Sequence, residues 1–273
     1  MPIICDLLES VRSGSDFDNT DREVMACAYA THNLLGRLCD ESVYEADLAA
    51  RLRAAGVAQV DTQVAVTASY RGFSKTYRLD LVVNGFVYEL KTVAFLPPVH
   101  DAQVYHDAAL MDTDRIKLLN FGAHRVEGLL RRSPFETVDR RKVNIDRNRW
   151  QPLSDGCLNL AEDAEGCFRD WGGFLDARLF EEALAFFRGG ESQCLQKLPV
   201  TRNSLHLGYH KVLMHSDRIG FLVTSLSDDV SFHEKHLRSL LSVLPLRAWQ
   251  WINIHHATMR MVTLMSPNLA NIS

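Results

Sequence analysis

Residues 77–91, Tyr-Arg-Leu-Asp-Leu-Val-Val-Asn-Gly-Phe-Val-Tyr-Glu-Leu-Lys, hold two carboxylates and a lysine whose types and spacing could handle a metal ion. Asp80 and Glu89 offer hard oxygen donors of the kind that suit Mg²⁺ or Mn²⁺. Lys91, two residues from Glu89, can polarise a water or steady a developing oxyanion. Between them Asn84-Gly85 marks a tight hairpin, because a type I′ turn needs positive φ at both central residues. A two-residue loop sets Val83 opposite Phe86, Leu81 opposite Tyr88 and Asp80 opposite Glu89. Strand alternation then puts Asp80, Glu89 and Lys91 on one face, with Leu79, Leu81 and Leu90 on the other. Carboxylates facing each other across a hairpin repel, and a divalent cation turns that repulsion into coordination. The bland reading is a solvated face in which Arg78, opposite Lys91, completes a network of surface charges.

The elements that must carry this hairpin follow from periodicity and punctuation. A helix capped by Thr20 or Asp21 runs to Gly36, with Val24, Cys27, Ala28, Thr31 and Leu34-Leu35 as its apolar stripe. A second helix spans about Asp40 to Ala55 and stops at Gly56. Its Glu41, Tyr44, Glu45 and Leu48 share one face, a pattern equally suited to an exposed charged surface pairing with Arg51 or Arg53. Strands are expected at 60–66 and 69–73 and in the hairpin, then a helix over 100–111 and a strand near 116–122. This order describes an α/β sandwich.

Residues 136–175 are polar and broken by Ser154-Asp155-Gly156 and Trp171-Gly172-Gly173, the pattern of a linker. The reading therefore divides the chain into an N-terminal segment 1–20, an α/β domain 21–135, the linker 136–175 and an α+β module 176–273. In that module an amphipathic helix at 176–188 precedes strands at 204–213 and 218–225, a helix at 230–244 and a hairpin at 249–264. His233 and His236 stand one helical turn apart, but no adjacent carboxylate or cysteine completes a metal site. Trp249 and Trp251 alternate on one strand face, as core residues or as part of a partner surface.

Composition is that of an ordinary soluble domain, 47% apolar and 23% charged over 273 residues. The first nine residues have no basic n-region and too short an apolar run for a signal peptide. The six cysteines (5, 27, 39, 157, 167 and 194) form no CxxC pair and read as reduced thiols of a cytoplasmic protein. A net charge of −4 argues against non-specific coating of nucleic acid. Residues 125–149 run the other way, with eight arginines and lysines against four acids, either a strip that steers a phosphate backbone or a solvated linker.

Over residues 20 to about 130 the chain resembles the GxxExxY family, a branch of the PD-(D/E)XK nuclease-like superfamily. Glu41-Ser42-Val43-Tyr44-Glu45 is similar to its ExxYE helix, and Tyr77 to Val83 followed by Tyr88 to Lys91 to its YRxDLLV…ELK core. His100-Asp101-Ala102-Gln103 resembles its HxAQ segment, and Leu118 to Gly122 its LLxNFG strand. The resemblance implies a restriction-endonuclease-like core, a mixed sheet flanked by helices, with a Mg²⁺- or Mn²⁺-dependent phosphodiesterase site. It implies Asp80, Glu89 and Glu41 as metal ligands and Lys91 as the group that positions the attacking water. It casts Gln103 as a brace for Lys91 or for a phosphate oxygen. Two positions depart from the pattern: Leu38 stands where the glycine of GxxExxY falls, and Gln103 is followed four residues on by Asp107 rather than tyrosine, an acid that either adds a carboxylate near the site or faces solvent.

Metal-dependent hydrolysis of nucleic acid, DNA before RNA, is the function this reading expects. The alternative is an idle nuclease fold that binds nucleic acid or a protein partner. The acidic net charge and the absence of basic–aromatic interleaving for base stacking favour that alternative. The paired carboxylates oppose it, because a dead site has no reason to retain their repulsion.

Overall fold

The Asn84-Gly85 turn forms as expected: in the computed structural model, which describes residues 3–5, 17–96, 99–133 and 139–267, Asn84 and Gly85 take φ of 48° and 83°. The flanking strands pair Val83 with Phe86, Val82 with Val87 and Leu81 with Tyr88. The described residues divide into two units, Met1–Ser69 with Ser74–Asp139, and Tyr70–Phe73 with Arg140–Ser273.

The first unit runs β1 (Ile3–Ile4), α1 (Phe17–Leu35), α2 (Glu41–Ala54), β2 (Val60–Tyr70), β3 (Phe73–Val83), β4 (Phe86–Lys91), α3 (Val99–Met111), β5 (Arg115–Asn120) and β6 (Glu127–Arg132). Its sheet has the order β1-β2-β3-β4-β5-β6. The β3–β4 and β5–β6 pairs are antiparallel, whereas β4 and β5 are parallel and joined by α3. A parallel pair needs such a crossover, and this one carries α3 to the face of β4 that bears Glu89.

The opposite face is apolar. Phe86, Tyr88 and Leu90 of β4 pack with Leu81 and Val83 of β3 against Tyr44, Leu48 and Leu52 of α2 and Val24 and Ala28 of α1. Tyr44, Leu48 and Leu52 recur every four residues and are fully buried, each contributing roughly 2 kcal/mol by leaving water. Helix α1 starts at Phe17, ahead of the expected caps, so Thr20 is buried inside the helix rather than capping it. Phe17 meets the Phe86 ring edge-on at 5.2 Å, an anchor whose partner lies far along the chain. Most of the N-terminal segment 1–20 lies outside the described residues.

The second unit contains β7 (Asn144–Arg149), α4 (Asp155–Trp171), α5 (Ala177–Phe186), α6 (Glu191–Cys194), β8 (Leu195–Arg202), β9 (Leu205–Ser216), β10 (Ile219–Thr224), α7 (Val230–Leu241), β11 (Ala248–His255) and β12 (Thr258–Met265). Its sheet has the order β7-β12-β11-β10-β9-β8, parallel at β7–β12 and β10–β11 and antiparallel elsewhere. The stretch 136–175, expected as a linker, thus holds a strand and a 17-residue helix. Its polarity misled because α4 buries only one face: Cys157, Leu160, Ala161, Ala164, Cys167, Phe168 and Trp171 point inward. Trp249 and Trp251 are 4% and 1% exposed, so they are core residues and not a partner surface. His233 packs against Trp251 and His236 against Phe232. The basic residues at 125–149 fall in both units; Arg140 is buried, donating to the Trp171 carbonyl, and Arg147 and Arg149 pair with Glu165 and Glu234. No described helix is long and apolar enough to cross a membrane.

Candidate active site

The antiparallel ladder between β3 and β4 stops at Leu81–Tyr88, one residue short of the expected Asp80–Glu89 pair. Beyond that point a side chain replaces the backbone acceptor: the Leu90 amide donates to Asp80 Oδ2 at 2.8 Å. The two carboxylates therefore do not stand directly opposed. Asp80 is half-buried and its other oxygen, Oδ1, is not used in that bond.

Glu89 is 3% exposed, and its two oxygens have different fates. Oε1 accepts from Lys91 Nζ at 2.7 Å and from Gln103 Nε2 at 2.5 Å. Oε2 is buried with no hydrogen-bond partner. Lys91 Nζ also donates to the Leu90 carbonyl at 2.7 Å, which leaves one of its three N–H donors for another acceptor. Gln103, expected beside the lysine or a phosphate, instead braces Glu89 and shares its acceptor oxygen with Lys91. The side chains of His100, Asp101 and Ala102 from the same segment lie outside the described residues.

Two further acids complete the surroundings. Glu41, in the first turn of α2, is half-buried and senses Lys91 and Asp80. Asp107, one helical turn beyond Gln103 in α3, is 6% exposed, and its Oδ2 also lacks a partner. From the sequence Asp107 either adds a carboxylate near the site or faces solvent; it is buried and acted on by Glu89, because the crossover lays α3 over that residue. Glu45, one turn after Glu41, feels Asp80 and is held by Gln63 Nε2 at 2.6 Å.

The electrostatics follow from this crowding. Burial, then Asp80, pushes the Glu89 carboxyl well above the ordinary range, against the pull of Lys91. Asp107 rises for the same reasons, burial first and Glu89 second. Glu41 is also raised, by burial and by Asp80 and Glu45. Burial favours the neutral form of Lys91, but Glu89, Glu41 and Asp80 outweigh it and keep the ammonium charged. The neighbourhood thus holds more negative charge than its one lysine compensates.

Residues that read as motif turn out to be framework. Tyr44 stacks on Phe121 at 4.7 Å and donates from its hydroxyl to the Gly36 carbonyl, which fixes the end of α2 that carries Glu41. The Phe121 amide donates to the Lys91 carbonyl at 2.7 Å. Asn120, fully buried, accepts through Oδ1 from the amides of Val93 and Gly122, pinning the chain just after Lys91. Gly122 has no room for a side chain, since a Cβ would lie 2.5 Å from the Thr92 carbonyl carbon.

An oxygen-only donor set with two buried, unpartnered carboxylate oxygens fits a hard divalent cation. Among the described residues no group of three or more His, Cys, Asp or Glu side chains is arranged to hold a metal ion. Asp80 and Glu89 are the residues that would hold such an ion, with Glu41 and Asp107 as neighbouring acids.

Residues 18–132 match a model of the PD-(D/E)XK nuclease superfamily. No curated protein and no solved structure matches the chain significantly. The mixed α/β architecture, with sheets flanked by helices, is consistent with the PD-(D/E)XK nuclease fold.

Proposed function

We propose that the chain is a divalent-metal-dependent nuclease of the GxxExxY type, cutting phosphodiester bonds in DNA in preference to RNA. The observation that carries this reading is Glu89 Oε2, buried without a partner beside Asp80 and the charged Lys91. An unpartnered carboxylate oxygen at that depth costs about 1–3 kcal/mol, a cost that a bound cation removes. Asp80 and Glu89 are the proposed ligands of Mg²⁺ or Mn²⁺, with Glu41 as an assisting carboxylate. When bound, the ion supplies a Lewis acid that draws charge from a phosphate oxygen and lowers the pKa of a coordinated water.

The remaining work falls to this chain's own side chains. Lys91 keeps one N–H free to donate to the attacking water or to a non-bridging phosphate oxygen as charge grows there. Gln103 fixes the rotamer of Glu89 by donating to Oε1, so that Oε2 stays turned to the site. The preference for DNA rests on superfamily analogy.

The test is cleavage of single- and double-stranded DNA and RNA by the full chain with Mg²⁺, Mn²⁺ or EDTA, alongside Asp80→Asn and Lys91→Ala. Metal-dependent cutting that both substitutions abolish is the expected result, and the polymer cut decides DNA against RNA. If the wild type cuts none of the four and Mn²⁺ leaves its melting temperature unchanged, the carboxylates hold no working metal and the nuclease reading fails.

A further inference from the structure

In the second unit, β9 parts from β10 almost as soon as they meet. The two strands pair at Ile219–Ser216, Gly220–Met214 and Phe221–Leu213, with a bulge after Ile219, and no further. Strand β9 stays with β8, so Leu222 to Thr224 have no partner on that side. The Val223 amide, which a continuing ladder would satisfy, donates instead to Glu181 Oε2 of α5 at 3.4 Å.

A cavity of about 750 Å³ opens at this split, within the size range of small-molecule sites. Its walls are largely apolar, with Phe186, Phe221, Leu222, Leu240 and Trp249 among them. Gly220 allows Trp249 to lie close on β10, because a Cβ there would fall 2.7 Å from the indole ring. Trp249 is 4% exposed and lines the cavity. Glu181 is half-buried, whereas the other charged lining residues are exposed. At the rim, the exposed Arg178 and Lys211 balance the exposed Glu182 and Glu191. The net charge facing the interior is therefore that of Glu181, set among aromatic rings, a combination that favours an organic cation.

We propose that this cavity binds a small hydrophobic amine, its aromatic or branched aliphatic body against the Phe186, Phe221 and Trp249 walls and its ammonium group on Glu181. Nothing in this assignment depends on the nuclease reading, and either can fail alone.

Three probes that share one ring and differ in charge test it: tryptamine, 3-methylindole and indole-3-acetate, each titrated calorimetrically into the full chain. Tryptamine is expected to bind at least ~10-fold more tightly than 3-methylindole, with indole-3-acetate weakest, because a partly buried charge pair at Glu181 distinguishes the three. Glu181→Gln is expected to erase the preference for tryptamine, and Leu240→Trp, which fills the space, to remove binding of all three. Binding that ignores charge, tighter binding of indole-3-acetate, or no heat from tryptamine up to about 2 mM overturns the proposal. So does unchanged affinity in Leu240→Trp, which places the probe elsewhere. Should Glu181→Gln fail to fold, the ranking of the three probes on the wild type decides alone.

Discussion

Glu89 in the first unit and Glu234 in the second are both carboxylates beside basic residues, yet they are treated in opposite ways. Glu234 receives Arg149 through both oxygens, each at 2.8 Å, and Arg238 through Oε1 at 2.9 Å. The bonds from Arg149 hold its carboxyl down at about 2. Glu89 is far more deeply buried, has one lysine and one glutamine on a single oxygen, and leaves the other bare. Its carboxyl is held high rather than low. A carboxylate that stabilises a fold is commonly surrounded by donors; one kept short of donors in the interior is a candidate for a functional role.

Removing the lysine should break the comparison most severely. Lys91→Ala leaves Glu89, Asp80 and Asp107 with no compensating cation, and cleavage should fall by ~10³-fold or more. The same change should lower stability by only about 1–2 kcal/mol, less than for most broken buried pairs, because Glu89 can take up a proton instead. A loss of activity no larger than the loss of folded protein would remove Lys91 from the chemistry.

Cation binding sharpens the contrast next. Millimolar Mn²⁺ should raise the melting temperature of the wild type by several degrees, about 2–3 kcal/mol at a hundredfold excess over Kd. Asp80→Asn and Glu89→Gln should lose that shift, while Glu234→Gln keeps it. A shift retained by Glu89→Gln would mean the ion binds without the orphan oxygen.

Without metal the two glutamates should respond to the same substitution with opposite signs. Glu89→Gln relieves repulsion from Asp80 and Asp107 and is expected to raise stability by about 1 kcal/mol while abolishing cleavage. Urea denaturation in EDTA measures it, and a destabilised variant would show that the site is not electrostatically strained.

Glu234→Gln should cost stability, and by the smallest amount, about 0.5 kcal/mol at pH 7, since the arginines are half exposed and screened. Its folded pKa lies below the unfolded value, so the stabilisation is complete above about pH 4.5 and is lost as the pH falls through 2. The gap between wild type and variant should close over that window and narrow with added salt. A gap that persists at pH 2 would point to packing rather than charge.

The hairpin was legible because its information is local. Asn84-Gly85 sets the turn, and alternation sets which residues face the Tyr44–Leu48 core and which face away. The helices of the first unit were legible for the same reason, to within a few residues. Helix α4 was not, because a helix buried on one face and set in a polar stretch resembles a linker until its partners are known.

At the site, residue types and hairpin spacing drew attention to Asp80, Glu89 and Lys91, and family likeness added Glu41 and Gln103. What no local pattern contains is which oxygen of Glu89 is left bare, that Gln103 braces Glu89, or that Asp107 joins the group. Those outcomes depend on the parallel pairing of β4 with β5 and on the crossover of α3, contacts between residues distant along the chain. Sequence sets the donors available to each carboxylate; only tertiary packing decides which donors arrive and which oxygen water can no longer reach, because burial turns a missing partner into a free-energy cost.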